Sequence, residues 1–258
     1  MDSDRRRQLA ILAAFVVTVV VNGLAVVLPL NGQSTAEISD RYSTLVTPAG
    51  YVFAIWSVIY LLLLAFSVYQ AFPGQRANPA LRAIGYLPAV AGLLNSTWLV
   101  LWHYNVFALT VPVMVGLLLT LILIYVRLGI GRQAPASQAE RLAVRLPWSV
   151  YLGWITIATI ANVATTLVWL QWDAIGIAPE AWAVAVLAVG VVIAAAVSAT
   201  RRDLAYALVI VWAYVGIAVE QVDVVVVAGA AILGALVVAG LALRAVFAGR
   251  QAAAPAVG

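Results

Sequence analysis

Long apolar runs with no ionisable side chain in their interior dominate this chain, and nothing constrains its fold more. They lie at about residues 9–30, 49–72, 83–103, 106–128, 147–170, 181–199, 204–219 and 224–243. Crossing bilayer hydrocarbon takes about 20 apolar residues as a helix, whereas the strands of a closed barrel show alternating segments of roughly ten. The runs here are unbroken, so each predicts a helix. Of the 258 residues 65% are hydrophobic and 9% charged, against about a quarter charged in a soluble domain. Such a chain cannot cover itself with polar surface, and lipid must be its solvent. The expected fold class is an all-α integral membrane protein with eight transmembrane helices.

The arginines give an independent test of that count. If the N-terminus is cytoplasmic and eight helices alternate, the inside segments hold Arg5, Arg6, Arg7, Arg76, Arg82, Arg127, Arg132, Arg141, Arg145, Arg201, Arg202, Arg244 and Arg250, leaving only Arg41 outside. Enrichment of basic residues in short cytoplasmic loops is the usual orientation signal. Both termini are therefore expected in the cytoplasm, with a bacterial inner membrane as the location. RRR ahead of the first run looks like the start of a secretory signal, but that run is longer than a signal's apolar core and a polytopic chain follows. It reads as a retained first helix. Segment 129–146 is the most linker-like piece of the chain.

Several functions are excluded or weakened. There is no cysteine, so no disulfide or thiolate metal site. There is no lysine for a retinal Schiff base. The arginines are scattered, which gives no support to a nucleic-acid partner. No HExxH, GxSxG or carboxylate pair at depth is present, so no catalytic residue and no metal site are expected. The single histidine, His103, is expected in a short outer connection.

Three of the runs carry aromatic and amide residues at helical spacing. Phe53, Trp56 and Tyr60 share a face of the second, and Asn95, Trp98 and Trp102 share one on the third. Tyr151, Trp154, Ala158, Asn162 and Thr165 form a stripe on the fifth. An unpartnered amide in hydrocarbon costs roughly 4–8 kcal/mol. Asn95 and Asn162 must therefore face protein or a cavity, and the rings on their faces turn inward with them. Interfacial belts account for rings near helix ends, but not for Trp56, Trp98 and Trp154 farther in. Two readings stay open on the pattern alone: rings that only pack helix against helix, and rings that line a ligand pocket.

At these residues the chain resembles the TspO/MBR family of tryptophan-rich sensory proteins, related to mitochondrial translocator protein. Pro48-Ala-Gly50-Tyr51-Val-Phe53 followed by Trp56 and Tyr60 is similar to that family's second-helix motif. Asn95 with Trp98 matches its third helix, and Tyr151, Trp154, Ala158 and Asn162 its fifth. The resemblance implies a five-helix bundle with a pocket toward the first loop, often a homodimer, that binds porphyrin or haem as ligand and holds no covalent cofactor. Carried over to this sequence, the ligand-binding positions are Pro48, Gly50, Tyr51, Phe53, Trp56, Tyr60, Asn95, Trp98, Trp102, Tyr151, Trp154, Ala158 and Asn162.

The sequence departs from the pattern in places. Ala49 stands where a second proline is usual, and Tyr51 where a tryptophan is usual. One residue fewer separates Phe53 from Trp56, which on an α-helix turns the two halves apart by about 100°. The fifth run ends in LVWLQWD without the family's sterol motif, and a loose cholesterol pattern at Leu123–Arg127 is too weak to carry sterol binding. Residues 1–172 read as the five-helix bundle, 173–247 as an additional three-helix segment, and 248–258 as a disordered tail. The eighth run has small-residue spacings, Ala230/Gly234 and Ala235/Ala239, suited to close helix contact. The leading expectation is a membrane sensor or carrier for a tetrapyrrole-like amphipathic ligand. A non-ion-coupled permease for a small apolar or zwitterionic solute and a structural or assembly protein are the alternatives.

Overall fold

The structure, a computed structural model, describes residues 2–28 and 30–253, without the side chains of 36 and 246–253. Eight long helices follow the apolar runs: α1 Ser3–Val27, α2 Ile55–Ala71, α3 Leu87–His103, α4 Phe107–Arg127, α5 Leu146–Trp169, α6 Pro179–Arg201, α7 Leu204–Glu220 and α8 Val225–Ala253. No strand occurs among the described residues. Six helical segments are long and apolar enough to cross a membrane: Ser3–Val27, Gly50–Ala71, Phe107–Arg127, Gln138–Trp169, Pro179–Arg201 and Val225–Ala245. The protein is an all-α, multi-pass integral membrane protein. α3 and α7, at 17 residues each, are shorter. Of the tail expected to be disordered, residues 254–258 lie outside the described residues.

Local chemistry sets several boundaries. The second run does not become α-helical until Ile55, because Gly50–Ala54 winds as a 3-10 helix. The third divides: Pro79–Ile84 is a separate short helix capped by Asn78, and the chain turns at Gly85 with φ of 54° before α3 starts. Between α6 and α7 the reversal is abrupt. Arg202 takes the left-handed conformation, and the Asp203 side chain caps α7 by accepting from the Ala205 and Tyr206 N–H groups.

α1, α3, α4, α5 and α2 pack in that cyclic order into a closed ring, α2 returning to α1. The last three helices form a second layer: α7 lies against α5, α8 against α7, and α6 against α8. α5 thus has protein on both sides, and every residue from Pro147 to Ile157 is buried. Tyr214 of α7 reaches between α6 and α8, its hydroxyl donating to the Leu187 carbonyl (2.6 Å). Gly234 of α8 leaves the room, since a Cβ there would sit 2.6 Å from the Tyr214 ring. The predicted small-residue seam is therefore used at Gly234 and Ala235, while Ala230 and Ala239 are only half-buried.

The arginine-bearing segments meet at one end of the bundle. Arg7 and Arg82 both bind the Asp4 carboxylate, Arg7 donates to the Arg76 carbonyl (2.9 Å), and Arg127 to that of Ala83 (3.4 Å). Segment 129–146, expected to be linker-like, is exposed over 131–139 apart from half-buried Pro135, and is tied down at its ends. Glu140 is buried in an ion pair with Arg145 (2.9 Å), and Gly131 lies flat on the Arg201 carbonyl, where no Cβ could fit. At the other end, α7 closes on the segment before α2. The Ala49 N–H donates to the Gly216 carbonyl (3.1 Å) and the Trp212 indole N–H to the Val52 carbonyl (3.2 Å).

Two outcomes follow from these contacts. A Cβ on Gly216 would stand 2.0 Å from a Val52 methyl. Gly216→Ala is expected to lower stability by about 1–3 kcal/mol through overpacking, whereas Gly229→Ala, with nothing within 4 Å, leaves it unchanged or raised; denaturant unfolding in detergent distinguishes them. Asp4 lies ahead of the apolar run, and hydrogen bonds from Arg82 hold its carboxyl below the ordinary 3.8. A depressed folded-state pKa gives stability that is present above the unfolded value and lost as pH falls through the folded one. Asp4→Asn should therefore lower the thermal midpoint at neutral pH, and the wild type should converge on the variant as pH drops below about 3.8.

Candidate functional site

The site begins with the 3-10 turn at Gly50–Ala54. Phe53, in that turn, and Trp56, in the first turn of α2, are three apart and lie on one side. Both rings meet the same partner edge-on: Trp154 lies 5.9 Å from Phe53 and 6.0 Å from Trp56. Trp56 also stacks on Tyr60 (5.6 Å, 18°), and across the ring of helices Trp98 stacks on Trp102 (5.4 Å, 27°).

These faces enclose a cavity of about 50 Å³. Pro48, Phe53, Trp56, Trp98, Trp102, Trp154, Ala158 and Asn162 all line it, joined by Thr35, Ser39, Thr47, Ile157, Ala161 and Thr165. The other expected residues lie elsewhere. Gly50 and Tyr51 point away from it: Tyr51 is 46% exposed and packs edge-on against Trp212 of α7 (5.3 Å). Tyr151 lines a separate, deeper cavity of about 20 Å³, together with Phe66, Ser67, Gly92 and Trp148. Tyr60 and Asn95 line neither cavity.

Asn95 and Tyr60 belong instead to a polar belt between the two spaces. Asn22 of α1 donates to the Asn95 side-chain carbonyl (3.0 Å) and accepts from the Tyr60 hydroxyl (2.5 Å). Helical register places the belt: Trp56 and Trp98 line the outer cavity, Leu63 and Ala91 the inner one, and Tyr60 and Asn95 lie one turn from each. Asn95 thus ties helices together and does not face the cavity. Asn22 went unnoticed in the sequence, although an amide inside the first apolar run obeys the same cost argument.

Asn162 does reach the cavity wall, but its polar atoms are committed. Its carbonyl accepts from the Trp98 indole (2.5 Å), and its amide donates to the Thr110 hydroxyl (2.9 Å), which in turn donates to the Phe107 carbonyl (2.7 Å). One residue thereby joins α3, α4 and α5. The indole N–H groups of Trp102 and Trp154 have no partner, though these residues are only 5% and 2% exposed. They are the unsatisfied donors of the cavity lining.

The first connection covers the cavity. Helix Thr35–Arg41 starts at a capping box, in which the Ser34 hydroxyl accepts from the Glu37 N–H and the Glu37 carboxylate from the Ser34 N–H. His103, expected in an outer connection, is fully buried beneath this cover. Its ring bonds the Thr35 hydroxyl (2.9 Å) and the Leu30 carbonyl (3.3 Å), while the Asn31 amide donates to its backbone carbonyl (3.1 Å). A neutral imidazole with Nδ1 protonated satisfies both ring contacts. The histidine is a peg under the loop, and no cluster of three or more His, Cys, Asp or Glu residues suited to a metal occurs among the described residues.

The Asn162 junction yields a measurable outcome. Removing the side chain strands the Trp98 donor in a buried site, at about 1–3 kcal/mol per unsatisfied group. Asn162→Ala should lower unfolding stability by about that amount and shift tryptophan emission, whereas Thr159→Ala, whose hydroxyl bonds only its own helix (2.6 Å), should do neither.

Comparison with known proteins gives one match. A family model described as TSPO-like protein matches residues 8–244, running past α5 through α6 and α7 and into α8. No curated protein and no solved structure matches the chain.

Proposed function

We propose, starting from the fact that the chain belongs to the TSPO-like protein family, that it is a membrane sensor or carrier whose aromatic cavity takes a flat, tetrapyrrole-like amphipathic ligand. The observation that carries this reading is the cavity wall itself. Four indoles, Trp56, Trp98, Trp102 and Trp154, converge on one space, and two of their buried N–H groups lack an acceptor. Indole faces supply stacking and dispersion to a planar molecule, and the free donors supply orientation.

The closed cavity is far smaller than a macrocycle. At about 50 Å³ it compares with the roughly 300–1,000 Å³ of ligand pockets. Uptake therefore requires the cover to move. Helix Thr35–Arg41 is the mobile part in this reading, because the opposite lip, Pro48–Ala54, is held by α7 through Gly216 and Trp212. All eight long helices cross the membrane in this proposal. α3 and α7, at 17 residues, stand at the short limit of a span, which is about 17–25 residues. The arginine-bearing end faces the cytoplasm, with both termini, by the bias of basic residues toward that side.

Titration of the purified protein with protoporphyrin, followed by tryptophan quenching and the Soret band, tests this. Saturable binding is expected, weakened about tenfold or more in Trp154→Leu, since a base or ring stacked on an aromatic side chain is worth about 1–3 kcal/mol. Trp172→Phe, outside the cavity lining, should bind as the wild type does. A response that never saturates, or one equal in both variants, removes the reading.

A further inference from the structure

The end of the bundle that carries the cavity cover is acidic. Glu37, Asp40, Asp173, Glu180, Glu220 and Asp223 lie there on connections and terminal turns, all exposed, with Arg41 as the single guanidinium. None of these seven residues forms an ion pair among the described residues. The Ser34 N–H that donates to Glu37 holds its carboxyl below the usual value. Arg41 is outnumbered six to one.

The cavity answers with no positive charge of its own. Its wall is aromatic, aliphatic, hydroxyl and amide, and it contains no arginine or histidine. His103, beneath the cover, already uses both ring nitrogens. Two indoles of that wall, Trp102 and Trp154, carry buried neutral donors without acceptors. An anion placed there would lose hydration and gain no counter-cation, a cost that neutral donors repay only in part.

We propose that this cavity selects a ligand without free carboxylates: a flat amphipathic molecule, uncharged or cationic, whose acceptor is a neutral carbonyl or ester oxygen. The proposal rests on the reading of the cavity as a ligand site and narrows its chemical class. A dicarboxylate macrocycle approaching the cover meets five net negative charges at that end, six carboxylates against one guanidinium. Over about one screening length, roughly 10 Å at 0.1 M salt, that repulsion is large enough to weaken its binding on the order of tenfold. A neutral macrocycle of the same shape feels none of it.

Protoporphyrin, with two carboxylates, and its dimethyl ester, with none, separate the possibilities. Each is titrated against the full chain in one detergent between about 10 mM and 1 M salt, where the screening length falls from about 30 Å to 3 Å. The free acid should tighten on the order of tenfold as salt rises, while the ester's Kd stays flat. In the Glu37→Gln, Asp40→Asn double variant, the acid should bind several-fold tighter at low salt and the ester as before. Because acid and ester partition differently into detergent, the salt series and the double variant carry the decision, not the absolute constants. The proposal is overturned if the acid tightens as salt is lowered, or if acid and ester follow the same salt curve in both proteins. Saturable binding of neither macrocycle overturns the functional reading itself, a different outcome from either.

Discussion

In a medium without water, a buried donor or acceptor must find its partner within the protein, and the architecture depends on where this chain finds them. A hydrogen bond contributes about 1 kcal/mol net, but leaving a buried group unmatched costs about 1–3 kcal/mol. The penalty for the wrong arrangement exceeds the reward for the right one. Asn162 meets the condition by bonding Trp98 and Thr110, and Asn22 by bonding Asn95 and Tyr60. Between them these two junctions touch all five helices of the ring. Each fixes the rotation of its helices about their axes, and rotation decides which aromatic faces turn inward.

With rotations fixed, the indoles have little freedom. Trp154 is held edge-on by Phe53 and Trp56, and Trp98 is stacked on Trp102. The asparagines therefore act as the frame of the cavity. The indole N–H groups left without partners in this frame are those of Trp102 and Trp154.

The second layer changes what the ring can do. α7 buries the outer side of α5 and holds the segment before α2 by two hydrogen bonds, while α6 and α8 brace α7 through Tyr214 and Gly234. One lip of the cavity is therefore anchored to three further helices. The other is anchored by the contacts of His103 with Leu30, Asn31 and Thr35, by the fully buried Ile38 and by Tyr42, edge-on against Phe107 (5.1 Å).

The helices and the inward faces of Trp56, Trp98, Trp154 and Asn162 were legible in the sequence, because hydrophobic length and the cost of a lone amide are local properties that side-chain identity and spacing already express. The arginine pattern likewise anticipated which segments share an end. Other features had no local signature. The 3-10 turn ahead of α2, held by α7, the diversion of Asn95 to Asn22, the place of Tyr151 in a separate cavity and the burial of His103 each depend on a partner distant in the chain. The sequence by itself determined that the chain must be a bundle of helices in lipid with amides and indoles inside. Only the tertiary structure decided which amide meets which indole, and so which donors stay free, because hydrogen-bond partners and the volume between rings are set by how whole helices are placed against one another.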